Sequence, residues 1–318
     1  MTPRRFSYAA GIAFTAGGAV CWSLGGALVR LTDNLDTWQI IFYRTTVMLV
    51  CMGLWLSLRF GRKLPGLIAG AGANAIVAGI AMGTAGLTFV AAMLYTTVAQ
   101  AVFMVGVAPF LSALLGKWIL RERIGAITWL AMTVALVGMG LILYGNETGG
   151  AIIGSALALY SVFCASVYTV ALRWGQKSEM TVSTLWNGIY LVGIAALVML
   201  VPTGIRATTG LESFAVGWWN FLWLFVMGAV QLSAGMVMFT LGSRSVPAAQ
   251  LSLISLIEPT LSPLWVWLVA SEIPPIWTFI GGAVIVLAIV IQALFSATRD
   301  RTSDARRLRR SEPAFDNP

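Results

Sequence analysis

Apolar runs of more than about 20 residues follow one another from residue 9 to residue 297, with short polar links between them. A helix of that length crosses the hydrocarbon core of a bilayer. Inside a bilayer the backbone must satisfy its own hydrogen bonds, which leaves helix bundles and closed barrels. Barrel strands alternate apolar and polar residues over about ten positions. These runs show no alternation, so the chain reads as an all-α integral membrane protein. Only 10% of the residues are charged and the mean hydropathy is +0.86. A soluble domain carries about 25% charged residues. There is no histidine, and the three cysteines, Cys21, Cys51 and Cys164, lie in apolar runs. No disulfide framework, metal site or cofactor is expected.

Charges, Gly/Pro clusters and turns divide the chain into ten spans, near 9–31, 38–58, 66–91, 96–119, 124–144, 151–172, 182–201, 218–241, 247–270 and 275–297. The third and fourth are the hardest to separate, because no charge marks the turn between them. Lys and Arg set orientation, since they gather on the cytoplasmic side. With the N-terminus inside, all of the 20 basic residues except Arg30, Arg206 and Arg44 fall in the cytoplasm. Both termini are therefore expected there. The first run is too long for a signal-peptide core and has no small-residue cleavage site, so it reads as an uncleaved helix. The tail, residues 298–318, is polar and basic; it is expected to be unstructured and to lie against anionic lipid headgroups.

Residues 99–122 and 249–272 align without gaps at an offset of 150. Seven of the 24 positions are identical, among them Gln100/Gln250, Pro109/Pro259 and Glu122/Glu272. Apolar bias does not explain a matched Gln, Pro and Glu. An Ala-Leu-x-Arg or Ala-Leu-Arg ending also closes the first and sixth spans, at Arg30 and Arg173. Each half thus holds five spans, residues 9–145 and 150–297, behind a short N-terminal segment, residues 1–8. Five is odd, so the second half enters the membrane upside down. This is the inverted-repeat design of secondary transporters, whose substrate sites lie near the midplane between repeats.

Together with the repeat, three marks resemble the ten-helix drug/metabolite transporter superfamily in its EamA-type branch. They are Trp22 in the first span, Arg44 early in the second, and Pro-x-Leu-Ser followed by Glu in spans four and nine. The resemblance implies an inner-membrane carrier of small molecules, often an exporter of amino acids, other metabolites or toxic organic compounds, and some relatives carry aromatic amino acids.

Glu258 is the only formal charge between Ala248 and Ala270. A charge at the bilayer centre costs about 2.5–3.5 kcal/mol on insertion scales. Two readings stand: a proton-coupling group or cation contact, and a buried hydrogen bonder between helices. Its repeat mate is Ala108, so the repeat itself does not require an acid. Pro259 and Pro109 each remove a helical hydrogen bond, which makes them hinges or static bends. Arg44 either snorkels to the interface or pairs with Glu258 or a substrate carboxylate. Gln100 and Gln250 are the pathway candidates among the amides; Asn74, Asn187 and Gln231 read as helix glue. Trp22, Tyr95, Tyr168, Trp186 and Trp265 are candidates for an aromatic box. Trp22 ranks first, and Trp22, Tyr168 and Trp186 enter the candidate site. Asp36 in the first outer loop reads as a helix cap.

Other classes fit less well. Histidine-dependent proteases and metalloproteases are excluded, and no span holds an aspartate for an aspartyl dyad. No selectivity-filter loop is apparent. The sequence reads as a non-enzymatic transporter working by alternating access, with a small-molecule substrate, membrane lipids and protons as its partners. An uncoupled facilitator or channel-like pore is the alternative.

Overall fold

The computed structural model describes residues 7–32, 34–93, 95–96, 98–144, 152–200, 214–271 and 273–311. The side chains of 98–100, 270 and 296–311 are not included. Among the described residues, nine helical stretches are long and apolar enough to cross a membrane. One of them, Thr37–Ala92, has 56 residues. At 1.5 Å per residue it would be about 84 Å long, far more than one bilayer core. It breaks at Gly61, whose φ of +51° ends one helix, beside the exposed Arg62 and Lys63. Two spans therefore share that stretch, and the described residues hold ten.

Span one is α1 (Tyr8–Ser23) and α2 (Gly25–Arg30). Span two is α3 (Thr37–Phe60) and span three is α4 (Leu64–Ala92). Span four is α5 (Val98–Val105) and α6 (Ala108–Ile119), and span five is α7 (Ala126–Tyr144). In the second half, span six is α8 (Ile152–Trp174) and span seven is α9 (Ser183–Leu200). Span eight is α10 (Trp218–Val226) and α11 (Gly235–Gly242), joined through a π-helical stretch, Met227–Ala234. Span nine is α12 (Ala248–Ser255) and α13 (Ile257–Ala270). Span ten opens α14 (Ile276–Ser311), which runs on without a break into the basic tail. The expectation of an unstructured tail is therefore corrected as far as Ser311. Its arginines, with Ala305 and Leu308, favour helix, and a helix growing from an existing one needs no nucleus.

Short links make neighbouring spans run in opposite directions. The membrane face where α1 begins is called the N-face below. Asp36 caps α3 in a reciprocal capping box with Gln39, as its position suggested. Asp33 lies outside the described residues.

Packing repeats the two-fold design. Span one packs on span eight as span six packs on span three, and span one packs on span nine as span six packs on span four. Span two packs on span eight as span seven packs on span three, while spans five and ten pack on each other. Spans one and nine run in parallel: Tyr8 donates to Gln250 and Trp265 donates to Ser23, each pair 242 residues apart. The repeat reaches backbone detail. Arg121 and Ser271, which are repeat mates, both adopt φ of +56° just past their helices. A left-handed residue in that place closes a helix and turns the chain back.

Candidate functional site

Two spans are broken near their middles, and the breaks are repeat mates. α5 ends at Val105 and α12 at Ser255; α6 and α13 then start at Ala108 and Ile257. Pro109 and Pro259 were expected to kink continuous helices. Instead each sits in the first turn of the second half-helix. There its missing N–H has no intrahelical role and its fixed φ is already helical. Inside α13 a further proline, Pro263, leaves the Pro259 carbonyl without its helical donor. In span four, the Ser166 hydroxyl lies 3.3 Å from the Ala108 carbonyl and donates to it.

Glu258 stands in the first turn of α13, half-buried, where the helix N-terminus favours negative charge. Among the described residues its carboxylate has no hydrogen bond or ion pair. Glu258, Ser262 and Trp265 are spaced i, i+4, i+7 and so share one helix face. That face meets span one: Ser262 lies against Gly26, and the Trp265 indole donates to Ser23 Oγ at 2.8 Å. The carboxylate therefore belongs to the seam between spans one and nine. Such a group can take up a proton or hold an ammonium.

Arg44 lies where span two meets span eight, its backbone carbonyl against Gly228. Its Nε is buried, with no hydrogen-bond partner among the described residues. The structure forms no ion pair between Arg44 and Glu258; they are placed on different seams.

Trp22 and Tyr168 are brought together by a residue that sequence reasoning did not single out. The Phe239 ring lies 5.1 Å from Trp22 and 5.8 Å from Tyr168, stacked on the latter at 17°. All three side chains are buried. Trp186 lies apart, half-buried against Gly79 at the contact of spans three and seven. Gln250 lies at the N-face end of span nine. Its Oε1 accepts from Tyr8 at 2.6 Å, and its Nε2 is 3.5 Å from Thr128 Oγ1. It ties spans one, five and nine together. The Gln100 side chain is outside the described residues.

The two half-spans on the N-face, α6 and α12, pack directly, with Ser112 and Ser252 joined by a 2.6 Å hydrogen bond. Among the described residues no comparable packing joins α5 and α13 on the opposite face. On the helix face that carries Ser112 burial follows the same divide, whereas Phe110 and Leu114, on another face, are more exposed than their mates Thr260 and Leu264. Ala108, Pro109, Ser112, Ala113 and Gly116 are buried; their mates Glu258, Pro259, Ser262, Pro263 and Val266 are all half-buried.

A family model described as the EamA-like transporter family matches residues 9–144 and again residues 152–294. The chain belongs to the EamA-like transporter family. It is 28% identical over 211 residues to an uncharacterized transporter of Archaeoglobus fulgidus, covering 64% of this chain and 70% of the relative. It is also 28% identical over 209 residues to an uncharacterized transporter of Clostridium kluyveri, covering 63% of this chain and 62% of that one. A solved structure entitled "Crystal structure of protein" shares the fold, with a TM-score of 0.71 at 18% identity over 92% of this chain and 98% of the other. The chain is a multi-pass membrane transporter.

Proposed function

We propose that this transporter exports small organic metabolites, amino acids among them, by alternating access, with the N-face toward the cytoplasm. Unequal burial of the repeat mates carries the reading. Two halves of similar sequence, inverted in the membrane, have the same interface available on each face. Here the N-face copy is shut and the opposite copy is not. Exchange of the two arrangements would move the access path from one side to the other.

Glu258 gives that path its chemistry. It lies at the break of span nine, in the half whose residues are less buried, with no partner for its charge among the described residues. A carboxylate so placed serves as a proton carrier or a contact for a substrate ammonium. Arg44, whose buried Nε has no partner among the described residues, suits a substrate carboxylate in a cavity that reaches span two. The family resemblance supports export and the inner membrane, and the distribution of Lys and Arg supports a cytoplasmic N-face.

The test is radiolabelled flux into proteoliposomes with and without an imposed pH gradient, for wild type and Glu258→Gln. The panel holds neutral, aromatic and basic amino acids and a flat organic cation. Wild-type flux should rise with the gradient, and the variant should lose that response. Equal flux at all gradients in both proteins would make the transporter an uncoupled facilitator and Glu258 a structural group.

A further inference from the structure

The shut interface on the N-face is held by more than packing. Glu122 follows the left-handed Arg121 at the end of span four, so the chain turns its side chain back toward the bundle. One carboxylate oxygen accepts from Arg173 Nε at 2.9 Å and from Arg173 Nη2 at 2.6 Å. The other accepts from the Ala248 backbone N–H at 3.0 Å, at the start of α12. Arg173 also donates from Nη1 to the Ser243 carbonyl at 2.9 Å, on the link from span eight to span nine. Both side chains are largely buried, at 13% and 15% exposure. One carboxylate thus ties together the ends of spans four and six and the start of span nine.

These are the elements that alternating access has to separate on this face. We propose that Glu122 is the latch of the N-face gate, and that its release from Ala248 and Arg173 precedes parting of α6 and α12. The latch rests on the alternating-access reading above. A buried pair that loses one partner leaves the other charge uncompensated, so the closed arrangement is sensitive to this one carboxylate. Ala248 offers a second way to weaken it. It is the first residue of α12 and follows Pro247, whose φ of −60° and ψ of 153° suit a residue before proline. Ala248→Pro removes the N–H bound to Glu122, keeps the ion pair, and puts proline where a helix tolerates it.

The experiment uses the full chain in proteoliposomes, with Cys21, Cys51 and Cys164 replaced by alanine. Single reporter cysteines stand at Ser252, buried in the N-face interface, and at Ser262, half-buried in the opposite half. Reaction with a small polar maleimide is timed for each. Glu122→Gln should speed labelling at position 252 by about tenfold or more and slow it at 262, and Ala248→Pro should shift both in the same directions by less. Unchanged rates in both variants would overturn the latch. Faster labelling at both positions in both variants would also overturn it, since general loosening is not a shift between states. A wild type carrying Ser112→Cys and Ser252→Cys, locked by oxidation, separates the two ideas. If the locked protein still transports, alternating access fails and the latch falls with it. If locking stops transport while neither Glu122→Gln nor Ala248→Pro shifts labelling, only the latch is wrong.

Discussion

Gly235 carries no side chain because the Trp22 indole occupies the space where one would stand. A Cβ there would meet the indole nitrogen, so spans one and eight reach their observed approach only with glycine. Gly235→Val should push Trp22 off Phe239 and cost about 1–3 kcal/mol by overpacking. The check is thermal unfolding in detergent, with Gly86→Val as control, since a Cβ at Gly86 meets nothing within 4 Å. A valine at 235 that unfolds with the control would disprove the close fit. Trp22 stood out in the sequence because a tryptophan in mid-span is uncommon company for apolar residues. Phe239 did not, being one of 15 phenylalanines, most of them in apolar runs. Its role comes from two long-range ring contacts that no local pattern encodes. The Glu122–Arg173 pair was hidden for a related reason. Both residues were noticed as recurring span endings, but only the fold brings positions 51 apart into contact.

Between the residue and the molecule stand the broken spans. Pro109 and Pro259 marked them in the sequence, because proline cannot supply the N–H of a continuing helix. The break itself falls two to three residues earlier, at Gly106 and Val107 and at Leu256, where the chain tightens into a turn before proline opens the next helix. Under the proposed alternating access, breaks of this kind let each half of a span act as a separate lever. The N-face levers α6 and α12 are clasped at Ser112 and Ser252, whose hydroxyls are 2.6 Å apart. Cysteines at both positions should form a disulfide under mild oxidation. Flux in proteoliposomes should then stop and return on reduction, while each single cysteine transports throughout. Persistent flux in the oxidised double variant would mean that these levers do not part during transport. Span boundaries were legible to within a few residues because length and charge both limit them. The division of spans one and eight was not. Leu24 interrupts span one with helical dihedrals and no proline, and the π-helical stretch of span eight carries no proline signal either.

For the whole molecule, the inverted repeat and the charge distribution are separate constraints that agree. The repeat requires an odd number of spans per half, and the main packing of spans one, two and three in one half has a counterpart in spans six, seven and eight of the other. Charge requires that basic links gather on one side. Among the described links, Arg62, Lys63, Arg121, Arg123, Lys177 and Arg244 lie on the N-face, against Arg30 at the opposite one. Two halves built alike would have no preferred orientation or state; charge supplies the first bias and the N-face interface the second. The agreement predicts sidedness in cells. In a cysteine-free background, cysteines replacing Arg62 and Lys177, both exposed, should react with an impermeant maleimide only after the membrane is opened. A cysteine replacing Arg30 should react in intact cells. The reverse pattern would place the N-face outside, and the shut gate would then face the exterior. A mixed pattern, with 62 and 177 on opposite sides, would remove one of the crossings between them and break the five-plus-five arrangement on which the transport reading depends.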